Sequence, residues 1–449
     1  MKNNLTTGSV LKTVLCFSMP YILSYFLQTL YGMADLFIIG QFNGVESTTA
    51  VSIGSQVMHM LTVMIVGLAM GSTVMIGQAV GAEKNEQAAQ ATGNTVTLFM
   101  ALSIIMTIGL LLAVKLIVNI ISTPAEAVSG TISYLTICFM GIPFITAYNI
   151  LSSIFRGMGD SKSPMYFIAV ACVANIALDY LFIGKLGLGS AGAALGTTLS
   201  QTISVIVSLA VILKRKMITL TVNDFKPNHT TMTSLLKIGI PIALQDGFIQ
   251  IAFIVITVFA NKRGLNDAAA VGIVEKIIAI LFLIPSSMLQ TVSALSAQNI
   301  GAGKHDRARL TLCYASIMAV IWGVGVSVLM QLDAELFIGL FAKDSAETVR
   351  LGSQYMRGYV WDAILAGVHF SFSGYFCAYG LSGISFLHNS LSIVCVRIPF
   401  SYFASKYFTD TLFPMGLASP AGSALSVIIC VCVFLWLDKR QKQLKRSEK

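Results

Sequence analysis

Apolar stretches of about 18 to 30 residues alternate along this chain with short polar clusters. An α-helix rises 1.5 Å per residue, so a stretch of that length crosses a hydrocarbon core of roughly 30 Å. The pattern predicts about twelve spans, near 14–40, 48–80, 92–118, 129–153, 164–183, 189–213, 234–260, 269–298, 309–331, 346–376, 389–405 and 419–437. The expected fold class is an all-α polytopic membrane protein. The apolar segment after Met1-Lys2-Asn3-Asn4 is too long for a cleavable signal peptide and lacks a small-residue cleavage pattern, so the first span is expected to remain in the mature protein.

Composition agrees with this pattern: 55% of residues are apolar, 11% are charged and the mean hydropathy is +0.79. A soluble domain carries roughly a quarter charged residues. With the N-terminus inside, about 18 basic residues fall in inner segments and about 7 in outer ones, so both termini are expected in the cytoplasm of a cell (inner) membrane. The net charge of +9 follows from this bias. It does not indicate nucleic-acid binding, because no basic stretch has interleaved aromatic residues. The eight cysteines lie in or beside apolar spans and read as reduced core residues, with Cys430 and Cys432 on different sides of one helix. Asn228-His229-Thr230 fits a glycosylation acceptor, but the predicted topology places it in the cytoplasm.

The same landmarks recur at an offset of about 221 residues. Phe17-Ser18-Met19-Pro20 answers to Ile238-Gly239-Ile240-Pro241, and the loop from Gly77 to Lys84 answers to that from Ala297 to Lys304. Gly159 and Gly380 match more weakly, and Ala191 to Leu195 resembles Ala421 to Leu425 after a slip. An even number of spans per repeat gives both copies the same orientation. The prediction is two six-helix bundles related by a pseudo-twofold axis along the membrane normal: an N-lobe at 1–213, a polar cytoplasmic linker at 214–233, and a C-lobe at 234–449.

A carboxylate deep in a span costs about 2.5–3.5 kcal/mol on insertion scales, so each one calls for a reason. Asp35 in span 1 and Asp179 in span 5 each lie about five residues from the outer end, which places them at similar depth. Gln28 is seven residues before Asp35 and Asn175 four before Asp179, so each amide shares a face with its carboxylate. Either Asp alone is also accounted for by snorkelling or by one buried hydrogen bond. The matched depth and paired amides favour a proton or Na⁺ site, because burial favours the neutral form of a carboxyl group.

The second half carries Asp246 and Gln250 one turn apart in span 7, Asp362 in span 10 and Arg397 in span 11. An ion pair between Arg397 and Asp246 or Asp362 is expected, leaving the other carboxylate to attract a cationic substrate. Glu275-Lys276 reads as an interfacial pair and His369 as cavity lining. Met58, Met64, Met70 and Met75 on span 2 suit either a polyspecific apolar cavity or ordinary membrane filler.

These residues together resemble the multidrug and toxic compound extrusion family across nearly the whole chain. The likeness rests on the Pro20 and Pro241 helices, the two repeated loops, Arg156-Gly157-Met158-Gly159-Asp160, and Asn175 to Asp179. It is strongest to the proton-coupled branch named for a DNA-damage-inducible protein (DinF). That resemblance implies an N-lobe cation site of Gln28, Asp35, Asn175, Asp179 and Thr197, with Asn149 joining it. The sodium-coupled branch relies on C-lobe carboxylates; Asp362 fits one of these positions, but Gln250 or its neighbour stands near the place of the other.

The resemblance implies a monomeric antiporter that exports amphipathic, often cationic, organic compounds by alternating access, coupled to H⁺ or alternatively to Na⁺ at Asp35, Asn175 and Asp179. No cofactor, nucleic acid or resident metal is expected, and no catalytic constellation marks an enzyme. A lipid-linked oligosaccharide flippase of the same superfamily is the alternative, although its cavity should be rich in Arg and Lys. A major-facilitator transporter should carry a basic Asp-Arg motif between spans 2 and 3, and the loop from Gly81 to Glu86 lacks it.

Overall fold

The computed structural model describes residues 5–215, 220–342 and 345–447, with side chains up to residue 439. Lys2, Lys216, Lys449 and the basic side chains after Lys439 therefore lie outside the described residues, as does part of the predicted linker.

Twelve helical spans follow one another among the described residues: α1 Val10–Phe42, α2 Val45–Gly81, α3 Asn85–Ile120, α4 Val128–Met140 with Ile142–Gly157, α5 Lys162–Asp179 and α6 Gly189–Arg215; then α7 His229–Arg263, α8 Leu265–Leu281 with Leu283–Gly301, α9 His305–Gly339, α10 Ala346–Tyr359 with Asp362–Ala378, α11 Ser382–Leu391 with Ile398–Tyr407, and α12 Phe413–Ser447. Ten are long and apolar enough to cross a membrane as they stand, and the bent α4 makes an eleventh. The remaining span, α10, carries Arg350, Gln354 and Arg357 in its first half. Large apolar side chains such as Ile105, Leu112, Ile321 and Trp436 are exposed, as lipid-facing positions require.

Several spans are broken where the sequence suggests continuity, and each break has a local cause. In α4 the axis turns by 49° at Gly141, where Pro143 has no N–H to continue the ladder. In α8 Pro285 likewise leaves the Leu281 carbonyl without its helical donor, and the Trp322 indole of α9 donates to it at 3.1 Å. The α10 break at Val360 and Trp361 contains no proline. There Ser327 and Gln331 of α9 donate to the Val360 and Arg357 carbonyls, at 3.2 and 2.7 Å. Pro20 and Pro241 sit inside α1 and α7.

The chain forms two compact units, one of residues 1–243 with 297–305 and the other of 244–296 with 306–449. Within the first unit the repeated loops share a left-handed turn residue, Glu83 and Gly303 at φ of 59° and 72°, and Gly159 there and Gly380 in the second unit repeat that conformation at 88° and 71° in their own turns. Gly71 of α2 lies against the Leu235 carbonyl, and Gly239 of α7 lies against that of Leu68. Only glycine permits backbones to pass this closely.

The described part of the linker is docked on α3. Its turn Val222–Phe225 is closed by a reciprocal Thr221 and Asp224 capping box. Asn94, fully buried, donates through Nδ2 to the Asp224 and Lys226 carbonyls at 3.1 and 3.3 Å, and its Oδ1 accepts the Asn228 N–H at 2.8 Å. Thr97 donates to the Phe225 carbonyl at 2.8 Å. The end of the linker sequence, from His229, is already the first turn of α7.

Candidate functional site

Each unit carries a cluster of buried polar side chains that includes carboxyl groups, and the two clusters differ in chemistry. The first is assembled from α1, α5 and α6. Asp35 is 4% exposed, and Asp179 and Asn175 are fully buried. Asp179 is the last residue of regular α-helix in α5, and a π-helical turn, Tyr180–Lys185, follows directly. Such turns widen the helix and re-aim its side chains.

Thr197 of α6 donates to Asp35 Oδ2 at 3.2 Å. Asp179 and Asn175 lie beside Asp35 within side-chain reach. Among the described residues, Asp35 Oδ1, both Asp179 oxygens and both Asn175 side-chain polar atoms make no hydrogen bond outside the group of Asp35, Asp179 and Asn175. Two buried carboxyl groups with open oxygens side by side repel one another when both are ionised. The cluster is therefore built to take up positive charge. A proton balances it, and the carboxylate, amide and hydroxyl oxygens also match the hard ligands of an alkali cation.

The structure thus brings Asp35, Asp179, Asn175 and Thr197 together. Gln28 is half-buried and makes no side-chain hydrogen bond among the described residues, while Asn149 donates to the Ile145 carbonyl of its own helix at 2.8 Å. Three residues complete the cluster that sequence reasoning passed over. Gly196 lies against Asp179, where a Cβ would overlap Asp179 Oδ1 and come within 3.2 Å of its Cγ. Tyr31 and Gln201 lie beside one another, and Tyr31 is close to Asp35. Helical spacing was their signal, because Tyr31 is four residues before Asp35 and Gln201 four after Thr197.

The second cluster belongs to the other unit. Arg397 closes a π-helical turn, Ser392–Arg397, inside α11 and is 9% exposed. Its Nη2 donates to the Tyr359 hydroxyl at 2.7 Å, and its guanidinium carbon stands 4.8 Å from the Phe253 ring centre and 5.8 Å from that of Tyr359. The expected ion pair with Asp246 or Asp362 does not form. No carboxylate oxygen lies within 4.0 Å of Arg397 among the described residues, and the groups that meet it are the Tyr359 hydroxyl and the Phe253 ring.

Asp362, 1% exposed, has no hydrogen-bond partner at Oδ1 among the described residues, and Asp246 and Gln250 are half-buried. Glu275 is half-buried and accepts the Thr257 hydroxyl at 3.0 Å, while its neighbour Lys276 is exposed. His369 and His388 stack edge to face at 5.7 Å, and His388 Nε2 is 3.0 Å from Ser373 Oγ. On α2, Met58 and Met70 are core residues at 8% and 1% exposure.

Comparison with known proteins matches both halves to one family. A family model described as MatE fits residues 20–181 and again 241–403, so its two copies begin 221 residues apart, the offset of the internal repeat. The probable multidrug resistance protein YpnP of Bacillus subtilis is 28% identical over 440 residues, 98% of each chain. YoeA of the same organism, also named a probable multidrug resistance protein, is 27% identical over 447 residues, 98% of this chain and 96% of its own. The multidrug export protein MepA of Staphylococcus saprophyticus is 23% identical over 374 residues, 83% and 82% of the two chains. Among solved structures, an outward-facing multidrug resistance MATE family transporter superposes with a TM-score of 0.91 at 24% identity over 99% of both chains. A transporter of the same superfamily from Pyrococcus furiosus gives 0.89 at 23% over 98% of both. At these identities the structural likeness establishes the two-lobe, twelve-helix fold.

Proposed function

Because the chain belongs to the MatE family of membrane transporters, we propose that it is a cation-coupled antiporter exporting amphipathic, often cationic, organic compounds, and that protons are the coupling ion. The observation that carries this reading is the juxtaposition of two buried carboxyl groups, Asp35 and Asp179, which among the described residues have Thr197 as their hydrogen-bond donor and no basic group at ion-pair distance. The family is one of transporters, which supports a carrier role in place of catalysis. The names of the curated relatives support multidrug export and lend nothing to a flippase.

The mechanism follows from charge balance. With the site open to the outside, a proton taken up by the carboxyl pair removes negative charge and weakens the hold on a cationic compound. Release of that compound then leaves a neutral site able to return through the apolar bundle. Opening to the cytoplasm discharges the proton and restores the affinity. One charge moving inward is worth about 2.3 kcal/mol per 100 mV, and a monovalent cation moving outward costs the same, so in a one-for-one exchange the pH difference supplies the drive. Coupling requires that proton and compound favour different states of the carrier. In this reading the lobes are 1–213 and 234–449, the linker and both termini face the cytoplasm, and the protein works as a monomer in the cell membrane.

Sodium is the alternative ion, with Asp35, Asp179 and Asn175 as its oxygen ligands. The deciding experiment reconstitutes the purified protein in liposomes and imposes proton and sodium gradients one at a time. Dye transport driven by the proton gradient alone is expected. Transport driven only by sodium would reassign the ion, and no transport under either gradient would overturn the antiport reading.

A further inference from the structure

An arginine cannot shed its charge inside a protein, so a guanidinium inside a membrane bundle needs either an ionic partner or a ligand. Arg397 has no carboxylate within ion-pair distance among the described residues. Its one hydrogen-bond partner among the described residues, the Tyr359 hydroxyl, is neutral, and its Nε is buried without a partner among them. The Phe253 and Tyr359 rings, 4.8 and 5.8 Å from the guanidinium carbon, add cation–π attraction, and with one Nη2 hydrogen given to Tyr359 and Nε unpartnered the guanidinium keeps N–H donors to spare among the described residues. Glu275 is already engaged by Thr257, and Asp362 retains an open oxygen of its own. A positive fork and a separate open carboxylate thus coexist in one buried cluster without neutralising one another at contact distance.

From this arrangement we infer that the second unit contains a binding site for an anionic group at Arg397, and that the compounds it selects carry a carboxylate or similar oxyanion. The planar donor edge matches a carboxylate in two-point contact, which a lysine at the same place could not reproduce. Asp362 Oδ1 is the complementary acceptor for an ammonium or amide N–H on the same compound. Zwitterions are therefore favoured over simple cations of the same size. This inference takes from the proposed function only that the ligand is an exported organic compound.

The test compares two fluorescent probes that differ only at the group in question, a rhodamine with a free carboxylate and its methyl ester. Binding of each to the purified full-length protein is measured by fluorescence anisotropy for the wild type, Arg397→Gln and Arg397→Lys. The wild type is expected to bind the free acid more tightly than the ester. Arg397→Gln should weaken the acid by about tenfold or more, the worth of a charge-assisted contact, and change the ester by less than about twofold. Arg397→Lys should fall between, and it serves where the glutamine variant does not fold. Equal losses for both probes, no loss for either, or equal wild-type affinity for acid and ester would overturn the assignment. If the acid binds in an Arg397-dependent way but no gradient drives it across liposomes, the antiport reading fails and the anion site stands.

Discussion

Gly81 and Gln298 meet main chain to main chain: a Cβ on Gly81 would overlap the Gln298 carbonyl oxygen, and Gly301 stands in the same relation to Gln78. The four residues are repeat counterparts, and all lie within the first compact unit. The contact therefore has its own approximate twofold symmetry. Its neighbour Gln298 adds a side-chain bond to the Gly157 carbonyl at 2.8 Å.

Gly81→Val and Gly301→Val should each force these two loops apart. Overpacking of this kind costs about 1–3 kcal/mol. A lowered unfolding midpoint in detergent is expected for each, with a double variant that loses less than the sum because both changes open one contact. An unchanged midpoint in both single variants would show that the loops separate freely.

Asp35→Asn and Asp179→Asn remove the charge that the coupling reading needs while keeping the size of the side chain. Proton-driven dye transport should fall by about tenfold or more in each, and Thr197→Ala should lose severalfold, the worth of one hydrogen bond. The thermal midpoint of Asp179→Asn should not fall, because the change relieves repulsion between buried carboxyl groups. Full transport by both Asn variants would remove this cluster from the mechanism.

Gly196→Ala places a methyl group where Asp179 Oδ1 now lies. The carboxyl group must swing away from α6, and the expected result is a changed pH profile of transport together with a reduced maximum rate. Measurement of transport against external pH separates this from a general packing defect, which would lower the rate at every pH alike.

Asn94→Ala deletes the side chain that holds three backbone groups of the linker. Chymotrypsin should then cut after Phe225, in the docked turn, at least severalfold faster than in the wild type, since each lost bond to a buried partner is worth about 1 kcal/mol. Equal cleavage rates would mean that Thr97 and the capping box suffice to hold the linker.

The spans, their number and the internal repeat were legible in the sequence because lipid imposes a length and an apolarity on every crossing segment, and both are local properties. Asp35, Asp179 and Asn175 could be singled out for the same reason: a polar residue in such a segment stands out against its background. Their mutual approach also followed, because matched depth in two helices of one bundle is set by helical rise. Thr197 came from family resemblance, since a half-buried threonine carries no signal of its own.

What surrounds those residues was decided by tertiary packing. Whether Arg397 meets a carboxylate or a pair of aromatic rings depends on the rotation of α11 against α7 and α10, and a π-helical turn shifts that rotation in a way no periodicity announces. The role of Gly196 exists only because α5 passes against it. Glu275 turned inward to Thr257 because α7 and α8 face one another there. Sequence by itself determined how far along each helix a group sits, because helical rise is the same everywhere. Only the folded bundle decided which side it faces and what it touches, because that is set by how neighbouring helices fill the space between them.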